Sequence, residues 1–141
     1  MTLKIKKLHP EAKMPSYANP GDAGMDFYSN EDLILQPNER KLIPTGISMA
    51  IPKGYVGLIW DKSGLASKYG IKTMAGVIDS GYRGEIKILV HNLSADPFEI
   101  KRSTKIAQML IQPIEQKELI EVDELEDTER GEKGFGSTGL S

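Results

Sequence analysis

Cysteine is absent from the chain, and histidine, tryptophan and long apolar runs are scarce. The absence of cysteine excludes disulfides, thiolate metal sites and a cysteine nucleophile, and it is compatible with a reducing cytosol. The two histidines, His9 and His91, lack the spacing of metal ligands, so we interpret them as structural or surface residues. No run approaches the roughly 18 apolar residues of a membrane span, and the N-terminal residues lack a signal peptide's apolar stretch. We therefore expect a soluble cytoplasmic protein that does not bind membranes.

The chain also lacks a large excess of positive or negative charge: the net charge is −2 and the isoelectric point is near 5.7. No global basic field therefore attracts nucleic acid, and we expect no nucleic-acid partner. An anionic ligand would need a local cluster of donors instead. With 141 residues, 39% of them hydrophobic, the chain fits one domain with a sizeable core.

Short apolar segments separated by turns dominate the sequence, which contains 14 glycines and 8 prolines. Alternation over residues 86–90 predicts a strand with one buried face. Further strands are predicted near residues 3–8, 33–35, 42–43, 47–51, 55–60, 98–100 and 106–114. Such short strands at close spacing favour a β-sandwich, a jelly roll or a barrel. One short helix is predicted over residues 63–69, with Ser63 as a candidate N-cap and Gly70 at its end.

The character of the chain changes near residue 115, where an acidic stretch begins that runs to residue 132. Residues 130–141 contain four glycines and form neither a stable isolated helix nor a strand. A frayed terminus is the simplest interpretation. However, GFGSTG at residues 134–139 offers one ring, two hydroxyls and unobstructed amides, which suit a phosphorylated ligand with a planar ring.

Two stretches combine a turn or a helix start with charged side chains. GVIDSGYRG at residues 76–84 predicts a hairpin, in which Asp79 either caps the turn or takes a proton from water. DKSGLA at residues 61–66 joins a strand to the short helix, whose free amides together with Lys62 would bind an anion. An ordinary capped helix explains the second stretch equally well.

Two shorter stretches place polar residues in predicted strands. Asp26 enters a strand, where a solvated carboxylate is the simplest interpretation. Alternation over residues 105–109 would place Ile106 and Gln108 on one face, so Gln108 is a candidate buried amide that needs hydrogen-bond partners.

Taken in order, five stretches resemble the five motifs of the trimeric dUTPase family. They are DAGMDFYS at residues 22–29, KSGLA at 62–66, GVIDSGYRG at 76–84, KIAQML at 105–110 and RGEKGFGSTG at 130–139. The resemblance implies an all-β fold, a jelly-roll-like β-barrel with one short helix and a flexible C-terminal arm. It also implies a homotrimer that exchanges C-terminal strands. Residues 1–125 would form the barrel, and residues 126–141 would form an arm that closes over a neighbouring subunit's active site.

The same resemblance implies a dUTP diphosphatase, which hydrolyses dUTP to dUMP and pyrophosphate with Mg²⁺ as cofactor. Such an enzyme keeps uracil out of DNA and supplies dUMP for dTMP synthesis. By position, Asp79 would be the general base for the water that attacks the α-phosphorus. Tyr82 would pack beneath the deoxyribose and exclude a ribose 2′-hydroxyl. The residues implied to surround uracil are Gly76, Val77, Ile78 and Lys87.

The other motifs are implied to hold the metal and the phosphates. Asp26 would act through water on Mg²⁺, which the three phosphates would mainly hold. Arg130 would clamp the γ-phosphate, and Phe135 would stack on uracil. The remaining residues implied to contact substrate are Lys62, Ser63, Gly64, Gln108, Gly136, Ser137 and Thr138.

The second motif departs from the family pattern. The family usually has Pro-Arg-Ser-Gly there, and this chain has Asp61-Lys62-Ser63-Gly64. Lys62 keeps a positive charge but lacks arginine's planar fork, and Asp61 adds a negative charge near a polyphosphate. Thr73 stands where some relatives carry an asparagine near uracil, and no role is assigned to it.

Three alternatives stay open on the sequence. A dCTP deaminase shares the fold but needs a glutamate where Leu89 stands, and a leucine cannot shuttle protons. A non-catalytic nucleotide-binding or regulatory protein on the same scaffold would need neither Asp79 nor an intact fifth motif. A structural β-sandwich with a disordered tail would leave the order of the five motifs unexplained.

Overall fold

Short strands make up most of the regular structure in the computed structural model, which describes residues 1–140. Within these residues the one helix is α1 (Ser63–Tyr69). The strands are β1 (Lys4–Lys7), β2 (Met25–Tyr28), β3 (Leu33–Leu35), β4 (Arg40–Pro44), β5 (Ile47–Ala50), β6 (Tyr55–Trp60), β7 (Ile71–Met74), β8 (Val77–Ile78), β9 (Lys87–Asn92), β10 (Phe98–Ile100) and β11 (Lys105–Pro113). The prediction of an all-β fold with one short helix is confirmed.

The strands are arranged in antiparallel sheets. One sheet has the strand order β2-β11-β6-β8, and another has the order β4-β9-β7. Two smaller pairs, β1-β5 and β10-β3, complete the arrangement. The long strand β11, which carries the fourth motif, lies between β2 and β6. Strand β2 carries part of the first motif, and β6 leads directly into the second motif, so these three motifs lie close together.

One hydrophobic core joins all of these sheets. Apolar side chains alternate inward along the strands, as in β9, where Ile88 and Val90 are buried. Each such side chain contributes about 1.5–3 kcal/mol when fully buried, so the core favours closure of the sheets around it. This is the jelly-roll-like arrangement expected from the sequence. Its fully buried large apolar side chains are Phe27, Leu35, Ile43, Ile47, Ile86, Ile88, Val90, Ile100, Ile106 and Met109.

The predicted hairpin across residues 76–84 is wrong in its pairing. β8 pairs with β6, whereas β9 pairs with β4 and β7, so residues 79–86 cross from one sheet to another. The chain is redirected just before β8, where Ala75 and Gly76 both have positive φ, 58° and 101°. Gly76 also accepts a hydrogen bond from the Ile59 amide at 2.9 Å, which ties this bend to β6. The predicted turn does form, because the Tyr82 amide donates to the Asp79 carbonyl at 3.1 Å.

The start of α1 also differs from the prediction. The N-cap residue is Lys62 rather than Ser63, and no side chain caps the helix. The predicted end is confirmed, since Gly70 adopts a left-handed conformation with φ 66° and its amide donates to the carbonyl of Ala66. A glycine suits this position because a side chain would be strained at that φ.

The chain beyond β11 leaves the core. The Ile114 amide donates to the Gly54 carbonyl at 2.9 Å, and residues 115–140 contain no helix or strand. Four apolar side chains between residues 115 and 125 are exposed to solvent: Leu119, Ile120, Val122 and Leu125. Regular structure thus ends before residue 125, where the sequence predicts the boundary between barrel and arm. Among the described residues, no helix is long and apolar enough to cross a membrane.

Asn92 is a fully buried amide at the end of β9 that connects three segments. Its Nδ2 donates to the carbonyls of Leu35 at 3.0 Å and Asp96 at 2.8 Å. Its Oδ1 accepts from the backbone amide and the hydroxyl of Ser94, at 2.9 Å and 2.8 Å. The amide is therefore fully satisfied, and removing it would leave buried carbonyl groups without donors.

We predict that Asn92→Leu lowers the free energy of unfolding by about 2–4 kcal/mol, although leucine has a similar volume. Urea denaturation would measure the loss. Gln36→Ala, at an exposed position, is the control and should change stability by less than about 0.5 kcal/mol. An Asn92→Leu protein as stable as this control would contradict the structural role of the amide.

Candidate functional site

A row of three residues crosses the larger sheet and forms the base of the candidate site. Strand register places Gln108 of β11 opposite Asp26 of β2 on one side and opposite Trp60 of β6 on the other. Asp26 is buried, with 2% of its surface exposed. The predicted solvated carboxylate at this strand start is therefore wrong.

Two lysines compensate the buried charge of Asp26. Lys62 Nζ lies 2.6 Å from Oδ1 and donates a hydrogen bond, and Lys105 Nζ lies 3.1 Å from Oδ2. Burial raises the pKa of Asp26, but its interactions with Lys62 and Lys105 outweigh burial and hold the pKa below the ordinary value of 3.8. One carboxylate and two ammonium groups leave a net positive charge at neutral pH, which favours an anionic ligand here.

Gln108 is held from two directions. Its Nε2 donates to the carbonyl of Asp61 at 2.8 Å. On the other side the Gly24 backbone approaches so closely that an added Cβ would lie 2.9 Å from Gln108 Cδ and 3.1 Å from its Cβ. The predicted face of Gln108 changes because the register of β11 shifts between Lys105 and Ala107. Ile106 and Ala107 are both buried, whereas Gln108 is partly exposed and so is accessible to a ligand.

Asp61 connects β6, β7 and β11 at the edge of the site. Its Oδ1 accepts hydrogen bonds from the backbone amide and the hydroxyl of Thr73, at 2.6 Å and 2.8 Å. Its Oδ2 accepts one from Lys72 Nζ at 2.7 Å. Burial raises the pKa of Asp61, but the hydrogen bonds from Lys72 and Thr73 lower it by a larger amount, so the pKa lies below the ordinary value of 3.8. Lys72 thus neutralises the charge that Asp61 adds to the second motif.

A groove of about 300 Å³ lies beside α1 and is lined by several basic side chains. It contains the predicted residues Lys62 and Gly64. Its other lining residues include Leu65 and Lys105 of the second and fourth motifs, together with Lys68 and Tyr69, which lie outside the five motifs. Ser63 is exposed on the same short helix. We call this surface the basic groove.

A second groove, of about 420 Å³, brings together Ile78, Tyr82 and Lys87 of the predicted uracil and sugar site. Leu42, Glu85 and Ile86 complete its lining. Asp79 is exposed and directly follows Ile78 in the chain, so its backbone adjoins this groove. We call this surface the tyrosine groove. Gly76 and Val77 line a different, apolar groove of about 200 Å³ beside Trp60.

The ring of Tyr82 is held in a fixed position. Its hydroxyl donates to the Glu85 carbonyl at 2.7 Å. A Cβ added at Gly84 would lie 2.7 Å from Tyr82 Cζ, so only glycine permits the ring to pack against this backbone. The carboxylate of Glu85 is occupied as well, because it accepts the Gly46 amide at 2.9 Å. The tyrosine groove therefore has one rigid aromatic wall.

The predicted residues of the arm lie outside both grooves. Phe135 is fully exposed, and Arg130 Nε donates only to the nearby carbonyl of Lys133, at 2.8 Å. Gly136, Ser137 and Thr138 are exposed too. The two grooves also share no lining residue with each other. A single chain thus brings Asp26, Lys62 and Gln108 together, whereas Asp79 and the predicted arm residues line neither groove.

Comparisons with known proteins agree on one family. A dUTPase family model matches residues 10–139. The deoxyuridine 5′-triphosphate nucleotidohydrolase of Clostridium kluyveri is 52% identical over 141 residues, which cover 99% of each chain. This chain belongs to the dUTPase family.

Solved structures with similar folds include two bacteriophage dUTPases. The dUTPase of Staphylococcus bacteriophage 80alpha with dUPNHPP has a TM-score of 0.93 and 35% identity, with 99% of both chains covered. A mutant dUTPase from phage phi11 of S. aureus, described with a structural Mg(II) ion, has a TM-score of 0.85 and 31% identity. In that comparison 90% of this chain and 100% of the phage chain are covered.

We predict that the stabilising effect of Asp61 depends on pH. Because its pKa is lowered in the folded chain, the stabilisation is complete above the ordinary value of 3.8 and is lost as pH falls through the lower folded-state value. At about pH 7, Asp61→Asn should lower the free energy of unfolding by about 1–2 kcal/mol, since it removes charged hydrogen bonds.

Chemical denaturation at a series of pH values would test this behaviour. The difference in stability between wild type and Asp61→Asn should begin to shrink as pH falls below 3.8, and it should vanish below the lower folded-state pKa, where Asp61 is neutral in both states. A constant difference between the two proteins down to acid pH would show that the carboxylate charge does not stabilise the fold.

Proposed function

We propose that this chain hydrolyses dUTP to dUMP and pyrophosphate, with Asp79 as the general base. The observation that carries the proposal is the exposed Asp79, next in the chain to Ile78 of the tyrosine groove, in a member of the dUTPase family. Within residues 1–140 the carboxylate of Asp79 has no hydrogen-bond partner, so both oxygens are available to a water and a sugar hydroxyl. A carboxylate so placed can accept the proton of the water that attacks the α-phosphorus.

The tyrosine groove suits a deoxyribose and a pyrimidine. The ring of Tyr82 offers an apolar face to the sugar, and its hydroxyl is already bonded to Glu85. A ribose 2′-hydroxyl packed against that face would lose its hydrogen bonds to water, which favours a deoxynucleotide. The turn backbone beside Ile78 supplies fixed polar groups that can discriminate among bases.

The basic groove suits the phosphates. Lys62 and Lys105 supply positive charge, and Ser63 and Gly64 are exposed at the start of α1. Gln108 does not line the groove, but it lies opposite Asp26, the partner of both lysines, and would supply an amide. These groups would hold the phosphate chain in line with the attacking water. Such positioning lowers the barrier because the reactants are already oriented. The arm residues Arg130, Phe135, Gly136, Ser137 and Thr138 would add contacts to uracil and the γ-phosphate.

We also propose Mg²⁺ as cofactor, bound mainly through the phosphates. Both carboxylate oxygens of Asp26 contact ammonium groups, so this side chain fits an ion only through an intervening water. Within residues 1–140 no group of three or more His, Cys, Asp or Glu side chains could hold a metal. This donor set fits magnesium, which retains several waters and binds phosphates readily. When bound, the ion would neutralise charge on the phosphates.

A homotrimer with shared active sites would unite the separate surfaces. The tyrosine groove and the basic groove have no residue in common, and Phe135 of the arm is fully exposed. We propose that a neighbouring subunit supplies the tyrosine groove to each basic groove, and that the arm of residues 126–141 closes over another subunit's site. Exchange of the segment before residue 125 would bury its exposed apolar side chains. A cytoplasmic location, where the enzyme would keep uracil out of DNA and supply dUMP for dTMP synthesis, completes the proposal.

The proposed activity is tested by pyrophosphate release from a panel of nucleoside triphosphates with Mg²⁺. We expect release from dUTP and much less from dCTP, dTTP and UTP. Ammonia release from dCTP would instead support the deaminase, although Leu89 occupies the position of its glutamate. Binding of the dUTP analogue without any release from dUTP would support a regulatory protein.

We predict that Asp79→Asn lowers the turnover of dUTP by about 100- to 10,000-fold, because the amide is nearly isosteric but cannot accept the proton. Affinity for dUTP should change little, and both quantities can be measured by pyrophosphate release and calorimetry. Asp96→Asn, at another exposed loop aspartate, is the matched control and should retain wild-type turnover. Wild-type turnover in Asp79→Asn would exclude this residue as the base.

We predict that two inactive variants restore each other in mixed trimers. Truncation after Glu129 removes Arg130, Phe135, Ser137 and Thr138 but keeps Asp79, whereas Asp79→Asn keeps the arm. If the arm acts on another subunit's site, some sites in mixed trimers combine an intact base with an intact arm, and dUTP hydrolysis should reappear.

Subunits would be mixed by denaturation and refolding, and native mass spectrometry would verify the mixed trimers. Each variant refolded alone provides the background rate. Verified mixed trimers that stay at this background would contradict an arm that crosses between subunits.

A further inference from the structure

Asp61 makes hydrogen bonds with both its side chain and its backbone, and the two sets lead to different strands. The side chain is held by β7, through the amide and hydroxyl of Thr73 at 2.6 Å and 2.8 Å and through Lys72 Nζ at 2.7 Å. The carbonyl accepts the amide of Gln108 on β11 at 2.8 Å. The anchoring of the side chain therefore fixes the position of the carbonyl that holds Gln108.

The junction between β6 and α1 has few other restraints. Lys62 is the N-cap of α1, has an extended backbone with φ −82° and ψ 123°, and has no side-chain capping bond. A proline ring at this position would restrict φ of its own residue. Aspartate lacks that restriction, so its bonds to β7 supply the restraint in this chain.

The two groups next to this junction belong to the proposed phosphate site. Lys62 follows Asp61 directly and contacts Asp26 at 2.6 Å, and Gln108 is bonded to the Asp61 carbonyl. We propose that Asp61 is a positioning residue that, through Thr73 and Lys72, holds the Gln108 amide and Lys62 in place for the triphosphate. This inference rests on the proposed function of the chain.

The charge of Asp61 is compatible with this role. A free carboxylate near a polyphosphate would repel it, but both oxygens of Asp61 face donors of β7. The side chain of Asp61 is 22% exposed, and the ammonium of Lys72 compensates its charge. Asp61 thus acts on the substrate only through the groups that it holds.

The test compares two ligands that differ in their phosphates, using the full-length protein. Calorimetry would measure the affinities of wild type, Asp61→Ala, Asp61→Asn and Thr73→Val for dUMP and, with Mg²⁺, for the non-hydrolysable analogue dUpNHpp. We expect Asp61→Ala to weaken analogue binding by about 10-fold or more, since one or two charged or amide contacts are misplaced. Binding of dUMP should stay within about twofold, because dUMP lacks the β- and γ-phosphates.

The milder variants extend the comparison. Thr73→Val removes only the hydroxyl bond to Asp61, and Asp61→Asn keeps an oxygen that can accept from Thr73, so both should lie between wild type and Asp61→Ala. These two variants decide the question if Asp61→Ala does not fold. The matched control is Asp32→Asn, because Asp32 Oδ1 also accepts a backbone amide across the fold, from Arg102 at 2.7 Å. It should bind both ligands as wild type does.

Two results would overturn the positioning role. Equal weakening of dUMP and analogue binding would show a general structural effect, and unchanged analogue binding would show that Asp61 does not position the phosphate contacts. In either case the proposed function would stand as long as the wild-type protein hydrolyses dUTP. If wild type itself releases no pyrophosphate from dUTP, the proposed function fails, and this role fails with it.

Discussion

The register of β11 is the constraint on which the candidate site depends. This strand pairs with β2 on one side and β6 on the other, and Gln108 lies opposite Asp26 and Trp60 at once. Because strand side chains alternate, a slip by one residue would turn Gln108 toward the core and Met109 toward solvent. The irregularity between Lys105 and Ala107 lies before the part of β11 that pairs with β6, which begins at Gln108, so the polar row itself stays in register. The buried Met109 and the partly exposed Gln108 are thus two consequences of one register.

The buried charge of Asp26 links the stability of the fold to the site. A carboxylate with 2% exposure would be costly without partners, and Lys62 and Lys105 supply them. The same ammonium groups line the basic groove, where their charge exceeds that of Asp26. A bound phosphate would therefore share these lysines with Asp26 rather than find them free. Replacement of either lysine would affect folding and ligand binding together, so the two effects must be measured separately.

The sequence was sufficient for features that depend on local pattern. Alternation identified β9, and glycine at position 70 identified the end of α1, because both signals lie within a few residues. The hairpin prediction was wrong because β8 has only two residues, and its partner β6 is decided by the bend at Gly76. The hydrogen bonds between Asp61 and β7 could not be predicted from the sequence either. They depend on how β7 packs beside the end of β6, and helix α1 separates these two strands in the chain. The five motifs identified the family, whereas the site residues depend on contacts between elements and stay predictions.

In the proposed trimer, the arm distinguishes substrate from product by a balance of free energies. Ordering a segment with four glycines costs about 1–2 kcal/mol per residue in backbone entropy, so the arm closes only if new contacts offset that cost. Stacking by Phe135 is available with dUTP and with dUMP alike. The proposed contacts of Arg130, Ser137 and Thr138 are with the γ-phosphate, which hydrolysis leaves in pyrophosphate, separate from the nucleotide. After cleavage the base and the γ-phosphate would belong to two separate products, and departure of pyrophosphate would remove the phosphate contacts that favour closure, so the arm would open without any separate signal.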